Sequence, residues 1–219
     1  MLKVGIVPGE WKMNEKGSEF KKNVLIVSAV LGLNFVVITC SIFSGIQLGN
    51  PALRFEENQT VTFLSALLLG LTGWSALMTY FLRRRLQPES GQRFWLLSSL
   101  GFFYLCLDEY FMAHEGIDDF IASLLKGQPV RSEMDGLTIG AFGVIALVIC
   151  WNFRKEILSH ASFLLFLVLG GFCLAGTVFF DLFKQLDVRA EVVEESFKFL
   201  GVSFFFAAYS RVLFSEINR

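Results

Sequence analysis

The sequence predicts an all-α fold: a polytopic membrane helix bundle with six transmembrane helices and both termini in the cytoplasm. Three observations carry that expectation. The chain of 219 residues is 54% hydrophobic and only 18% charged, with a mean hydropathy of +0.57, which is more apolar than a soluble domain of this length. Six apolar runs approach the roughly 20 residues that a helix needs to cross hydrocarbon. Lysine and arginine crowd alternate connections between those runs, as the positive-inside rule requires.

The first run, Val24–Phe43, follows a lysine-bearing tail over residues 1–22. That tail lacks the short apolar core and small-residue cleavage site of a signal peptide, so it reads as a retained cytoplasmic segment and the run as an uncleaved insertion signal. The second, Val61–Leu82, stops at Arg83, Arg84 and Arg85, which read most simply as a topology anchor. The third, Phe94–Ala113, ends in the acidic stretch LDEYFMAHE, and the fourth, Leu137–Phe153, is the shortest. The fifth, Ala161–Phe180, is followed by Asp181, and the sixth, Val193–Phe214, carries Glu194, Glu195 and Lys198 inside its first turns. All six must be helices, because lipid offers no partner to an unpaired backbone group. Residues 23–215 form the membrane domain on this reading. The connection 116–135 is an outer loop whose IDDFIASLL has the spacing of a short interfacial helix.

Thirteen lysines and arginines fall with the tail, the second and fourth connections and the carboxyl end, against five on the other side. This places the protein in a bacterial inner membrane with its ends inside. A net charge of −1 gives no reason to expect a nucleic-acid partner; the lipid bilayer is the expected environment, and a homo-oligomer or a protein partner is compatible with a chain this short. Cys40, Cys106, Cys150 and Cys173 each sit in an apolar run and read as buried hydrophobes, not disulfides or zinc ligands. Asn34 reads as an interhelical hydrogen-bonding residue, and Gly45, Gly49, Gly170, Gly171 and Gly176 as places of close helix approach. The triplet NQT at Asn58 would be a glycosylation acceptor only outside bacteria. No nucleophile motif and no phosphate loop occurs.

With that orientation, three segments deliver polar groups to the outer half of the membrane. The third supplies Asp108, Glu109, His114 and Glu115, the fifth Asp181, and the sixth Glu191, Glu194, Glu195 and Lys198. Asp108 and Lys198 each lie about 10 Å inward of their helix's outermost glutamate, so they share a depth. Asp108 and Glu115 lie within about 20° of each other around the helix, and Glu191, Glu194, Glu195 and Lys198 share one face of the sixth helix. A purely structural role would pair Lys198 with Glu194 along the helix and with Asp108 across the interface. Ionisable groups inside a membrane are nevertheless functional by default. Carboxylates with one imidazole suit a divalent metal ion, whose candidate ligands are Asp108, His114, Glu115, Asp181 and Glu195, with Glu109, Glu191 and Glu194 beside them. If the site is catalytic instead, Asp108 and Glu115 hold a metal or act as base while His114 shuttles a proton.

The pattern LDEYFMAHE, then FFD, then EVVEESFKFLG resembles a group of uncharacterised bacterial multi-pass membrane proteins. They carry an Asp-Glu pair and a His-Glu pair in a middle span and a glutamate-rich start to the last span, often with glutamate where this chain has Lys198. The resemblance supports the choice of residues and implies no activity. Membrane ceramidase-like hydrolases also use six or seven helices and a polar metal site, but their histidine-based zinc site has no counterpart here. The expected function is cation binding, of a divalent metal or a proton, coupled to transport, conduction or sensing. The alternatives are an intramembrane metal-dependent enzyme acting on a lipid of the outer leaflet, and a non-catalytic subunit of a membrane complex.

Overall fold

The structure, a computed structural model, describes residues 8–56, 59–86, 91–113, 116–117, 131–181 and 188–219, with the side chains of 8–17, 131–139, 181 and 188–189 excepted. The described chain is helical apart from short turns: α1 Pro8–Gln47, α2 Thr60–Leu86, α3 Gln92–Phe111, α4 Arg131–Asn152, α5 Arg154–Leu158, α6 Ala161–Asp181 and α7 Val188–Ile217. Every predicted span coincides with a helix. Four stretches are long and apolar enough to cross a membrane, namely Ser18–Gln47, Thr60–Leu86, Ala161–Phe180 and Ala190–Ile217. Of the other two, α3 falls short for a reason written in its residues. Asp108 and Glu109 lower the hydropathy of α3 in its last turn. Gly140–Asn152 is the apolar stretch of α4 among the residues whose side chains are described. The loop expected to hold an interfacial helix lies outside the described residues over 118–130.

α7 is the central helix, packed on α6, α2 and α1, while α3 packs on α2. Contacts between side chains give the directions. Arg83 meets Glu216 and Ser75 lies 3.5 Å from Ser210, so α2 and α7 run parallel. Asn34 Nδ2 donates to Ser203 Oγ at 3.0 Å and Arg211 pairs with Glu19, so α1 runs against α7. The expected interhelical role of Asn34 is therefore met. Much of the outer surface is apolar, including Leu25, Phe35, Leu147, Trp151 and Phe172, as a lipid-facing surface should be. Cys40 belongs to that exposed surface, contrary to the expectation that all four cysteines are buried; Cys173 alone is fully buried.

Aromatic packing fills one end of the bundle. Trp95 is wholly buried against Phe94, Phe163 and Tyr209, with ring centroids 5.1, 5.4 and 5.7 Å away. Glycines set the α6–α7 distance. A β-carbon on Gly170 would lie 2.6 Å from the Phe205 ring and 3.0 Å from the Gly201 carbonyl oxygen, whereas one on Gly171 would meet nothing within 4 Å. Gly170→Ala is therefore expected to cost about 1–3 kcal/mol through overpacking, and Gly171→Ala almost nothing. Parallel unfolding titrations of the two variants in mixed micelles check this; equal stabilities would remove the steric argument.

Candidate functional site: two charged clusters at opposite ends of the bundle

At the end of the bundle where α3 finishes and α7 begins, Lys198 is the hub. Its Nζ lies 2.7 Å from Glu195 Oε1, one turn back on α7, and 2.9 Å from Glu109 Oε1 on α3. The carboxylate that reaches across from α3 at these distances is thus Glu109, the neighbour of the expected Asp108. On α7 it is Glu195, the neighbour of the expected Glu194. One residue is 100° of helix rotation, so the depth assigned to the cluster from the sequence is unaffected and only the azimuth changes. Glu194 and Glu195 are buried; Asp108 and Glu191 are half-buried and Lys198 is 23% exposed.

Glu109 has a second face. Together with Gln59, Thr60, Thr62, Phe63 and Tyr110 it lines an open cleft of about 410 Å³ between the ends of α2 and α3. One carboxylate therefore joins a buried ion pair to solvent. α3 stops just beyond this point, where Met112 takes a left-handed conformation (φ 52°) and donates its N–H to the Asp108 carbonyl at 2.7 Å, a helix-ending geometry. Of the other expected ligands, His114 and Glu115 lie outside the described residues, and Asp181 ends α6 with its side chain also outside them. Among the described residues no three of His, Cys, Asp and Glu stand together as a metal site.

The opposite end holds a cluster that the sequence reading missed. Arg83, taken as one of three orientation anchors, is 4% exposed. Its Nε and Nη2 donate to Glu216 Oε1 at 3.1 and 2.8 Å, its Nη1 donates to Glu156 Oε1, and its Nη2 lies 2.7 Å from His160 Nε2. Trp95 Nε1 donates to the same Glu156 oxygen at 3.2 Å, and the guanidinium sits 5.4 Å from the Trp95 ring centroid. Arg219 adds a second cation 3.1 Å from Glu216. Five elements are tied together: α2 by Arg83, α3 by Trp95, α5 by Glu156, the start of α6 by His160 and α7 by Glu216.

Local sequence makes this cluster possible. Glu156 and His160 are four apart, so they face the same way across the α5–α6 turn. Gly91, at φ 57°, caps α3 where any β-carbon would collide with the Glu156 carboxylate; no other residue type takes that backbone conformation and leaves that space. The neighbouring His160 imidazole holds the Glu156 carboxyl below its usual range against desolvation, with the Arg83 charge and the Trp95 N–H adding to the effect. Two signals in the sequence mark the cluster: an i,i+4 Glu–His pair beside a tryptophan-bearing helix start, and a glutamate, Glu216, at the end of the last apolar run.

Both clusters hang on one helix. Lys198 and Glu216 are eighteen residues apart, five full turns, so they share a face of α7 about 27 Å apart, close to the hydrocarbon thickness.

No curated protein and no solved structure matches the chain. Residues 24–213, which hold the Lys198 cluster and all of the Arg83 cluster except Glu216 and Arg219, match the model of a domain of unknown function (DUF8692), and the chain belongs to that family.

Proposed function

We propose that the chain is a six-span bacterial plasma-membrane protein, both termini in the cytoplasm, that binds a cation from the outer side at Glu109 and Glu195, in competition with Lys198. The observation that carries this reading is the sharing of Lys198 between carboxylates of two helices, one of which also lines an open cleft. The ammonium group occupies the place an external cation would take. A proton or metal ion that enters the cleft and neutralises Glu109 weakens that carboxylate's hold on Lys198, and with it the contact between α3 and α7. Occupancy and helix packing are then linked, because a ligand shifts a conformational equilibrium by its differential affinity for the two states. That linkage is what sensing or coupled transport needs. His114 and Glu115, five and six residues beyond Glu109, remain candidate ligands for a divalent ion.

The test is the thermal unfolding midpoint of the protein in lipid nanodiscs, followed from pH 8 to pH 5 and separately against Mn²⁺ and Ca²⁺. The difference between wild type and Glu109→Gln isolates this carboxylate from every other titrating group. A cation- or pH-dependent difference is expected. Parallel curves at every condition, with the two midpoints offset by a constant, would rule the reading out.

A further inference from the structure

The Arg83 cluster is a closed hydrogen-bond system with one ambiguous proton. A guanidinium has donors only, and it is fully charged at any accessible pH. His160 Nε2, 2.7 Å from Arg83 Nη2, must therefore be accepting a hydrogen bond, with the imidazole neutral and its proton on Nδ1. The contact also fixes the ring orientation, since a C–H facing an N–H at that distance would be repulsive. The same Nε2 lies 3.7 Å from Glu156 Oε1, just outside hydrogen-bonding range. The histidine nitrogen thus stands between a group that can only donate and a carboxylate that can only accept.

We propose that this cluster is a proton-binding site with His160 Nε2 as the acceptor atom, distinct from the Lys198 cluster and at the other end of the bundle. A proton arriving at Nε2 places N–H against N–H at Arg83 and creates a donor for Glu156. The imidazolium turns toward Glu156 Oε1, Arg83 loses His160 as an acceptor and shares Glu156 with a second cation, and Arg83 keeps Glu216. No covalent bond changes apart from the new N–H. In the unprotonated state the charged groups of the cluster balance: Arg83 from α2 and Arg219 beyond the end of α7 against Glu156 from α5 and Glu216 from α7, with Arg83, Glu156 and the uncharged Trp95 from α3 standing against His160 itself. The bound proton leaves one positive charge in excess among largely buried groups. His160 is 16% exposed, which gives the proton its way in. The consequence falls on Glu156, the residue through which α5 is held to α2 and α3.

Proton-detected ¹⁵N spectroscopy on the full chain in nanodiscs tests this. The chain has two histidines, and the imidazole signal absent from His160→Gln assigns the relevant one. At pH 8 its proton is expected on Nδ1, with Nε2 unprotonated. Acidification is expected to protonate Nε2 and to shift the Trp95 indole N–H, bonded to Glu156, with the same midpoint. In His160→Gln, whose amide oxygen can accept from Arg83 but takes no proton, the indole shift over that range is expected to vanish. A proton on Nε2 at pH 8, or an indole signal that ignores the imidazole titration, would overturn the proposal. If His160→Gln does not fold, the wild-type tautomer and the common midpoint decide alone.

Discussion

Arg83→Met is expected to lose about 3–5 kcal/mol of stability, the penalty for removing one partner of a buried ion pair and leaving the other charged. The estimate sits at that level because Arg83 is not a rim charge. It and Glu216 are 4% and 2% exposed, and its guanidinium serves two carboxylates and an imidazole at once. With methionine in its place, Glu216 keeps Arg219 and Glu156 keeps the Trp95 N–H and His160, so neither is wholly abandoned. Arg83→Lys is expected to recover little, since a single ammonium cannot span the fork that reaches Glu216 on one edge and Glu156 on another. The pH dependence has a definite sign. The Glu156 carboxyl is held below its ordinary value of 4.5, so its contribution is complete at neutral pH and is lost as pH falls through the lowered folded-state pKa. Removing Arg83 takes away one cause of that lowering, so in the variant the contribution is smaller and its loss is complete at a higher pH. Unfolding titrations in mixed micelles at pH 7 and below pH 4.5 measure both effects. A variant within about 1 kcal/mol of wild type at pH 7 would mean that the network contributes no more than a surface pair.

The fold was legible because lipid simplifies it. Apolar length alone marks α1, α2, α6 and α7 as candidate membrane spans, and the Asp108–Glu109 pair that lowers the hydropathy of α3 is itself the pointer to the polar cluster at its end. Position along the helix was legible too: 1.5 Å per residue turns sequence position into distance along its axis. Azimuth was not. Asp108 and Glu109 are equivalent by depth and 100° apart around the helix, and only the packing of α3 on α2 and α7 selects Glu109 for Lys198. The Arg83 cluster was hidden by a different ambiguity. An arginine after an apolar run has a sufficient explanation in the positive-inside rule, and its partners Glu156, His160 and Glu216 stand 73, 77 and 133 residues away. Gly91 would have drawn attention only to someone who already knew that Glu156 needed its space.

Lys198→Met is expected to cost about 3 kcal/mol at neutral pH, and the deficit is expected to shrink as the pH is lowered. Lys198 stands between Glu109 and Glu195, the latter beside Glu194 in a buried stretch of α7. Methionine fills similar volume and restores apolar contacts, so the loss isolates charge from packing. Without the ammonium group, carboxylates from α3 and α7 face one another at short range in a poorly polarisable setting, where like charges cannot all remain ionised. Protonating one of them removes the uncompensated charge, which is why acid should relieve the variant. A reciprocal substitution sharpens the test: in Lys198→Met combined with Glu109→Gln one of the opposed charges is gone as well, and stability at pH 7 should rise above that of Lys198→Met alone. The interaction energy of this double-mutant cycle reads the Glu109–Lys198 pair directly. A pair serving only as packing filler would give a cycle near zero and a Lys198→Met deficit that does not change with pH.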